Sequence, residues 1–202
     1  MKKTIAGFML ILGMGIGVTQ ANAQSTTFGI KADANMSNFI LSDMGGVKSN
    51  MGIGASLGGF AKFDISERFA IQPELLVHYQ TSETKQGGAK LDYEYWGLEI
   101  PVYAMFQWEN FTNNRFYAGI GPYVGYGLDA RYTNTTPKTK LYKDDLRQPW
   151  DFGFGAQVGY EFANGIQINA GYKIGIVDAL DKGKDDATML PQRISLGIGY
   201  RF

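Results

Sequence analysis

Apolar and polar residues alternate along most of this chain. In the final segment, "SLGIGYRF" (195–202), Leu196, Ile198, Tyr200 and Phe202 alternate with small or charged residues. An alternation with a period of two residues predicts a β-strand with one apolar and one polar face. The same pattern occurs over 28–36, 53–63, 69–79, 96–108, 116–132, 150–162 and 166–176, and the last strand covers about 193–202. The pattern therefore predicts eight strands.

The connections between these strands fall into two classes. Those over 64–68, 109–115 and 163–165 are short, and Asn164-Gly165 favours a two-residue hairpin turn. Those over 37–52, 82–92, 133–149 and 178–190 are long. Short and long connections lie at opposite ends of the strands, as in an outer-membrane barrel with short periplasmic turns and long extracellular loops. We predict an all-β, eight-stranded, antiparallel, up-and-down transmembrane barrel.

The charged residues of the strands decide which face meets lipid. All of them fall on the polar face, although the faces were assigned from the apolar residues: Lys31, Asp33, Lys62, Asp64, Glu74, Glu99, Asp129, Arg131, Asp151, Glu161, Lys173, Arg193 and Arg201. Lys or Arg on the lipid face at the bilayer midplane costs about 2–4 kcal/mol. A soluble barrel would show the opposite arrangement, with its apolar face inside. We therefore expect the apolar face to meet lipid and the polar face to line a narrow interior.

Aromatic residues lie at both ends of the apolar face. The short-turn end has Phe28, Phe63, Phe69, Trp108, Phe116, Phe162 and Phe202, and the long-loop end has Tyr79, Trp96, Tyr132 and Trp150. Aromatic rings prefer the two membrane interfaces. Two belts around an aliphatic band are typical of a membrane-spanning surface.

The N-terminus predicts export. Lys2 and Lys3 precede an uncharged apolar run over 5–18, and "ANA" (21–23) is a small-x-small cleavage pattern. These features indicate a signal peptide over residues 1–23 and a barrel domain over 24–202. Without Lys2 and Lys3, the 19 basic residues become 17 against 19 acidic ones, a net charge of −2 that argues against a nucleic-acid partner. The chain has no cysteine, so disulfides and thiol chemistry are excluded.

Candidate chemistry is sparse. The single histidine, His78, lies near the long-loop end with Ser82 and Glu83 a few residues on, and a rim enzyme would need such a group. Asp178, Asp181, Asp185 and Asp186 cluster in one loop without EF-hand spacing, and the segment 135–147 is rich in lysine. We predict no catalytic, cofactor-binding or metal-binding residues, and no enzymatic activity.

An eight-stranded barrel has an interior just wide enough for side chains. We expect this interior to be filled by Lys62, Glu74, Glu99, Tyr103, Tyr117, Arg131 and Lys173. The predicted function is a structural or surface-interaction role through the extracellular loops. The alternatives are a narrow porin-like channel for ions or small solutes and an enzyme at the barrel rim.

The segments "IQPELLVHYQ", "LEIPVYAMF", "FYAGIGPYVGY" and "LGIGYRF" resemble the outer-membrane protein β-barrel domain family, PorT-like or porin-family small barrels, over roughly 24–202. The resemblance implies an integral protein of the outer membrane, in contact with its lipid and lipopolysaccharide. It also implies that the terminal strand ending at Phe202 is read by the barrel assembly machinery. None of the resembling segments is catalytic. One departure is Lys173, where such proteins often carry Arg.

Overall fold

The fold was analysed in a computed structural model, which describes residues 25–42, 47–86, 89–110, 112–132, 149–176 and 188–202. Within these residues the regular structure consists of β-strands. The same part of the chain contains no helix long and apolar enough to cross a membrane. The predicted signal peptide and most of the segment 133–149 lie outside the described residues.

The chain forms nine strand segments. They are β1 (Thr26–Ser42), β2 (Val47–Asn50), β3 (Gly52–Asp64), β4 (Phe69–Gln86), β5 (Ala89–Glu109), β6 (Arg115–Tyr132), β7 (Trp150–Glu161), β8 (Ile166–Gly175) and β9 (Thr188–Arg201). Because only Met51 separates β2 from β3, these two segments act as one interrupted strand of the barrel wall.

Antiparallel pairing between neighbours closes the sheet on itself. β1 pairs with β3, both β2 and β3 pair with β4, and from β4 to β9 each strand pairs with the next. The barrel closes where β1 pairs with β9, from Gly29↔Arg201 to Ser42↔Thr188. Closure leaves the sheet without a free edge over most of its height. The predicted eight-stranded antiparallel barrel is confirmed.

Two connections are shorter than predicted. The segments 37–52 and 82–92 are largely strand, because β1 extends to Ser42, β2 begins at Val47, and β4 and β5 pair as far as Gln86↔Ala89. The prediction of long loops there was wrong, since polar residues that protrude from a barrel can continue its hydrogen-bonded ladders. We call this end of the barrel the loop end and the opposite end, with the connections at 65–68, 110–114 and 162–165, the turn end.

The turn that contains Asn164-Gly165 also differs from the prediction. The Phe162 amide donates to the Ile166 carbonyl at 2.8 Å, and the Gly165 amide donates to the Phe162 carbonyl at 2.9 Å. Gly165 has φ +87°, and Asn164 is not among the residues with positive φ. A two-residue type I′ turn needs positive φ at both central residues, so this is a three-residue loop with one left-handed glycine.

Burial confirms the assignment of the two faces. The buried polar side chains face the interior, among them Lys31, Lys62, Glu74, Glu99, Gln157 and Glu161. The exposed large apolar side chains lie on the outside, among them Ile30, Leu57, Leu75, Ile120, Val158 and Leu196. Polar side chains inside and apolar side chains outside are the arrangement expected of a barrel surrounded by lipid.

Aromatic side chains form contacts around the outer wall. At the turn end, ring pairs connect Phe69, Phe106, Trp108, Phe116, Tyr160 and Phe162 at centroid distances of 4.7–6.0 Å. At the loop end, Tyr79 pairs with Trp96 and Tyr126 with Trp150, both at 4.9 Å. These rings give the two belts that the sequence predicts, except that the side chain of Tyr132 lies outside the described part of the chain.

Glycine makes room for the large side chains of the interior. Tyr117 lies opposite Gly159, Tyr123 opposite Gly153 and Met105 opposite Gly119. A Cβ atom on Gly159 would lie 2.3 Å from the Tyr117 ring, and one on Gly119 would lie 2.3 Å from the Met105 sulfur. Large side chains therefore occupy the space that small residues on the next strand leave free.

Candidate functional site

The barrel interior is the candidate site, because it is where polar and charged side chains from all the strands converge. Their contacts form three groups along the barrel axis. We call them the turn-end network, the middle network and the Glu99 cluster.

Glu161 is one centre of the turn-end network. Its carboxylate accepts a hydrogen bond from Arg201 Nε at 2.8 Å and one from Gln167 Nε2 at 2.7 Å, and it lies 3.6 Å from Arg115. Arg115 also contacts Glu109 at 3.3 Å. These contacts connect β5, β6, β7, β8 and β9 at the turn end of the bore.

A second set of contacts crosses the opposite side of the same end. Lys62 Nζ donates to Gln107 Oε1 at 3.2 Å and lies 3.8 Å from Asp64. Gln107 Nε2 donates to Asp64 Oδ1 at 2.8 Å, and Ser25 donates to the other oxygen at 2.8 Å. Lys62 and Gln107 are buried, and both find polar partners within the barrel.

Glu74 is the centre of the middle network. Lys31 Nζ lies 3.1 Å from Glu74 Oε2, while Gln72 Nε2 and Gln157 Nε2 donate to Oε1 at 2.9 and 3.3 Å. Lys31 also donates to Gln157 at 3.3 Å. Tyr103, Met105, Tyr117 and Ala70 form the buried apolar cluster of the interior. This level of the bore combines a hydrogen-bonded ion pair with packed rings.

The Glu99 cluster lies towards the loop end. Glu99 accepts hydrogen bonds from Lys173 Nζ and from an Arg193 guanidinium nitrogen, one on each carboxylate oxygen. Lys173 Nζ also lies 5.9 Å from the centroid of the Tyr123 ring, and the Tyr123 hydroxyl donates to Asp151 at 3.2 Å. Glu99 is nearly inaccessible to solvent. The two cations and the single carboxylate leave a net positive charge in the cluster. Separating Glu99 from the cations would leave buried charges without a partner, which is energetically costly.

Three consecutive inward positions of β5 fill the middle of the bore. Glu99, Pro101 and Tyr103 are the largest fully buried side chains of the described residues. Together with the networks above and below them, they place protein atoms across the lumen. Such an arrangement can connect the two sides of the barrel.

His78 faces the interior, as predicted. It is buried, and its ring lies 5.1 Å from that of Tyr95 at an interplanar angle of 33°. Its Nδ1 atom has no hydrogen-bond partner among the described residues. The side chains of Ser82 and Glu83, the other members of the predicted rim group, lie outside the described part of the chain.

Most of the predicted interior residues are where the sequence placed them. Lys62, Glu74, Glu99, Tyr103, Tyr117 and Lys173 all point into the barrel. The backbone of Arg131 lies opposite Glu94, but its side chain is outside the described part. The prediction overlooked Tyr123 as a filling residue, although its spacing from Tyr117 by six positions puts both on one face.

The predicted loop features cannot be placed. The acidic segment 178–187 and the lysine-rich segment 135–147 lie outside the described residues. Within the described ranges, no group of three or more His, Cys, Asp or Glu residues has the proximity that a metal ion requires.

Comparison with known proteins decides the family. The model of the outer membrane protein β-barrel domain family matches residues 10–181. The chain belongs to this family. Its membership supports a location in the outer membrane. A search of curated protein sequences gives no match.

Solved structures show the same fold. The outer membrane protein OprG from Pseudomonas aeruginosa is 14% identical, with 90% of this chain and 98% of that chain covered and a TM-score of 0.56. Neisserial surface protein A, NspA, is 15% identical, with 88% and 99% covered and a TM-score of 0.51. The outer membrane enzyme PagL also matches, at 13% identity, 83% and 98% coverage and a TM-score of 0.46. At these identities the similarity to OprG and NspA establishes the fold and carries nothing about activity, and the similarity to PagL supports no conclusion about either.

Proposed function

We propose that this small outer-membrane barrel acts through its loop end, as a structural or surface-interaction protein, and that its lumen does not conduct. The observation that carries the proposal is the Glu99 cluster above Tyr103. Glu99 holds Lys173 and Arg193 from the opposite wall, and Tyr103 is buried directly below. A pore needs a continuous aqueous path, which this packing opposes.

The ion pairs give the closed state its stability. Removing one partner of a buried pair leaves an uncompensated charge and costs about 3–5 kcal/mol. Opening the lumen would have to separate Lys31 from Glu74 as well as both cations from Glu99. We therefore expect thermal fluctuations to leave the bore shut.

The partners we propose are those of a surface barrel. The two aromatic belts and the aliphatic band suit the lipid and lipopolysaccharide of the outer membrane. The strand that ends at Phe202 is the proposed contact for the assembly machinery. The segments 133–149 and 178–190 are the proposed contact surface, because they join strands at the loop end.

Single-channel recording in a planar bilayer tests the closed lumen. We expect no stable conductance from the intact protein. The variant Glu99→Ala/Tyr103→Ala removes the two largest obstructions and serves as the open control. Large, voltage-independent currents from the intact protein would make the narrow channel the better reading.

Deletion of residues 135–146 tests the role of the loops. We expect the shortened protein to fold and to lose its binding to cells or purified surface glycans. Unchanged binding after the deletion would contradict a role for this loop. Hydrolytic activity that depends on His78, measured against lipid or peptide substrates, would instead support the rim enzyme.

A further inference from the structure

The barrel wall divides between β1 and β2 at the loop end. The β1–β3 ladder runs from Thr26↔Phe63 to Ser37↔Gly52 and then stops. Beyond that point β1 continues to pair with β9, as far as Ser42↔Thr188, while β2 continues to pair with β4, as far as Val47↔Gln86. No ladder joins β1 to β2 within the described residues.

The pairing register with β4 changes at Met51, next to this division. β3 pairs with β4 with Gly54 opposite Gln80, whereas β2 pairs with the same strand with Asn50 opposite Glu83. The two registers differ by one residue, as at a β-bulge. The shift lies next to the point where the β1–β3 ladder ends, at Ser37↔Gly52.

Buried polar atoms without partners gather at the foot of this division. We call Asp33 Oδ1, Asn35 Oδ1, Ser37 Oγ and His78 Nδ1 the unpaired cluster. All four side chains are more than nine-tenths buried. Asp33, Asn35 and Ser37 are alternate buried residues of β1 and share its inner face. His78 lies two strands away, because Asp33 lies opposite Ser56 and Ser56 lies opposite His78, and Asn35 Nδ2 donates to Ser56 at 3.1 Å.

Three further buried side-chain atoms of the described residues have no hydrogen-bond partner, Thr27 Oγ1, Asn38 Oδ1 and Glu74 Oε2, and the last of these lies 3.1 Å from Lys31 Nζ. At the turn end, Glu161, Gln107, Gln167 and Asp64 all have hydrogen-bond partners. A buried polar atom without a partner is costly, and native proteins keep few of them unless they have a role. The unpaired cluster therefore points to a partner that enters through the division in the wall.

The chemistry of the cluster defines that partner. A carboxylate oxygen and an amide oxygen accept hydrogen bonds and do not donate them, while the serine hydroxyl and the imidazole adapt to either role. Asp33 also carries negative charge, and its other oxygen lies 3.9 Å from Lys31. A complementary solute brings N–H or O–H donors, and a positive charge favours it further.

We propose that the loop end of the β1–β3 seam opens and that the unpaired cluster binds a small solute rich in N–H or O–H donors. Opening the wall here breaks few hydrogen bonds between strands, since the ladder between β1 and β3 already ends at Ser37. Arg193 of the Glu99 cluster lies opposite Ser37 on β9, whereas Asn35 and Asp33 lie opposite Ser195 and Gly197, further towards the turn end. The seam thus offers access through the barrel wall, while the Glu99 cluster keeps the bore shut.

Cysteine accessibility tests the opening, because the chain has no cysteine of its own. Ser37→Cys replaces a residue of the unpaired cluster, Ser56→Cys replaces its neighbour on β3, and Ala70→Cys is the matched control in the buried apolar cluster of the middle network. Each variant is folded into liposomes, checked for the heat-modifiable mobility of a closed barrel, and treated with trimethylammonioethyl methanethiosulfonate. We expect Ser37→Cys and Ser56→Cys to react at least about tenfold faster than Ala70→Cys, because labelling of a buried site follows its local opening. Equal rates at all three positions would overturn the opening.

The reagent series tests the ligand chemistry in the same variants. Aminoethyl methanethiosulfonate carries a cation with N–H donors, the trimethylammonioethyl reagent carries a cation without donors, and the sulfonatoethyl reagent is an anion. We expect the reaction rates, corrected for reactivity with a free thiol, to fall in that order at Ser37→Cys. A faster reaction with the anionic reagent would mean that the Arg193 cation determines which reagents bind at the site. Equal rates would mean that the unpaired cluster does not discriminate between the reagents. Either result would overturn the donor-binding proposal.

Discussion

Lys173 and Arg193 lie directly opposite each other on β8 and β9, and both donate to the carboxylate of Glu99 across the barrel. Like charges in directly opposed positions destabilise a sheet. Here the Glu99 carboxylate on β5 accepts hydrogen bonds from both cations, so the pair of like charges is linked to the opposite wall of the barrel.

Loss of the Glu99 charge should destabilise the barrel. In Glu99→Gln, two buried cations face each other without an anion, and we expect the free energy of unfolding to fall by about 3–5 kcal/mol. Urea unfolding in phospholipid vesicles, followed by tryptophan fluorescence, measures the change. The exposed turn substitution Glu67→Gln is the control and should have little effect.

A second substitution separates charge from packing. Adding Lys173→Met to Glu99→Gln removes one of the two cations and should restore part of the lost stability. No recovery in the double variant would mean that the shape of Glu99, rather than its charge, supports the bore.

A charge on the outer wall should be costly in lipid. Ile100 points outward on β5 between the belt residues Trp96 and Trp108. We expect Ile100→Lys to lower the free energy of unfolding by about 2–4 kcal/mol. Ile65→Lys, in an exposed turn, makes the same chemical change outside the apolar band and should be nearly neutral. Equal effects of the two substitutions would contradict the proposed depth of Ile100 in the bilayer.

Interior glycines should reject side chains for steric reasons. A Cβ atom on Gly121 would lie 1.9 Å from the Val102 carbonyl oxygen, which belongs to the backbone of the neighbouring strand. Gly121→Ala should cost about 1–3 kcal/mol by overpacking, and Gly121→Lys should cost more. Gly59→Ala is the control, since its Cβ would lie 3.4 Å from its nearest neighbour, the Gly29 carbonyl oxygen. The variants are compared by the same urea titration, and a neutral Gly121→Ala would refute the steric argument.

Removal of the ring at Phe202 should impair assembly. Phe202 is exposed on the outer wall, its amide donates to the Phe28 carbonyl at 2.8 Å, and its ring lies 5.7 Å from Tyr200. Phe202→Ala should lower the amount of protein in the outer membrane and increase its degradation in the periplasm. Phe28→Ala removes another aromatic of the same belt and is the matched control. Equal losses, measured by immunoblot of membrane fractions, would assign Phe202 a packing role only.

The mature protein should begin at Gln24. Lys2, Lys3, the apolar run and "ANA" predict cleavage after Ala23. N-terminal sequencing of the protein from outer-membrane fractions checks this expectation. Met1 retained on the mature chain would contradict it.

The strands, their two faces and many of the interior residues could be predicted from the sequence. The alternation of residues such as Leu196, Ile198 and Tyr200 is local, and a period of two residues fixes which side chains share a face. Because one face meets lipid, a charge has only the other face available, and Glu74, Glu99 and Lys173 were assigned to the interior on that ground. The physical reason is that a charged side chain on the lipid-facing surface is energetically costly, so the charged residues of the strands are confined to the interior face.

Which interior residues contact one another depends on the tertiary structure. Lys173 and Arg193 are 74 and 94 positions from Glu99 along the chain, and their contacts across the bore depend on barrel closure and on how the strands are staggered. The one-residue shift at Met51, the division between β1 and β2, and the extension of strands over 37–52 and 82–92 likewise depend on pairing between strands. Hydrogen bonding to a neighbour, and not the polarity of the segment itself, decides where a barrel strand ends.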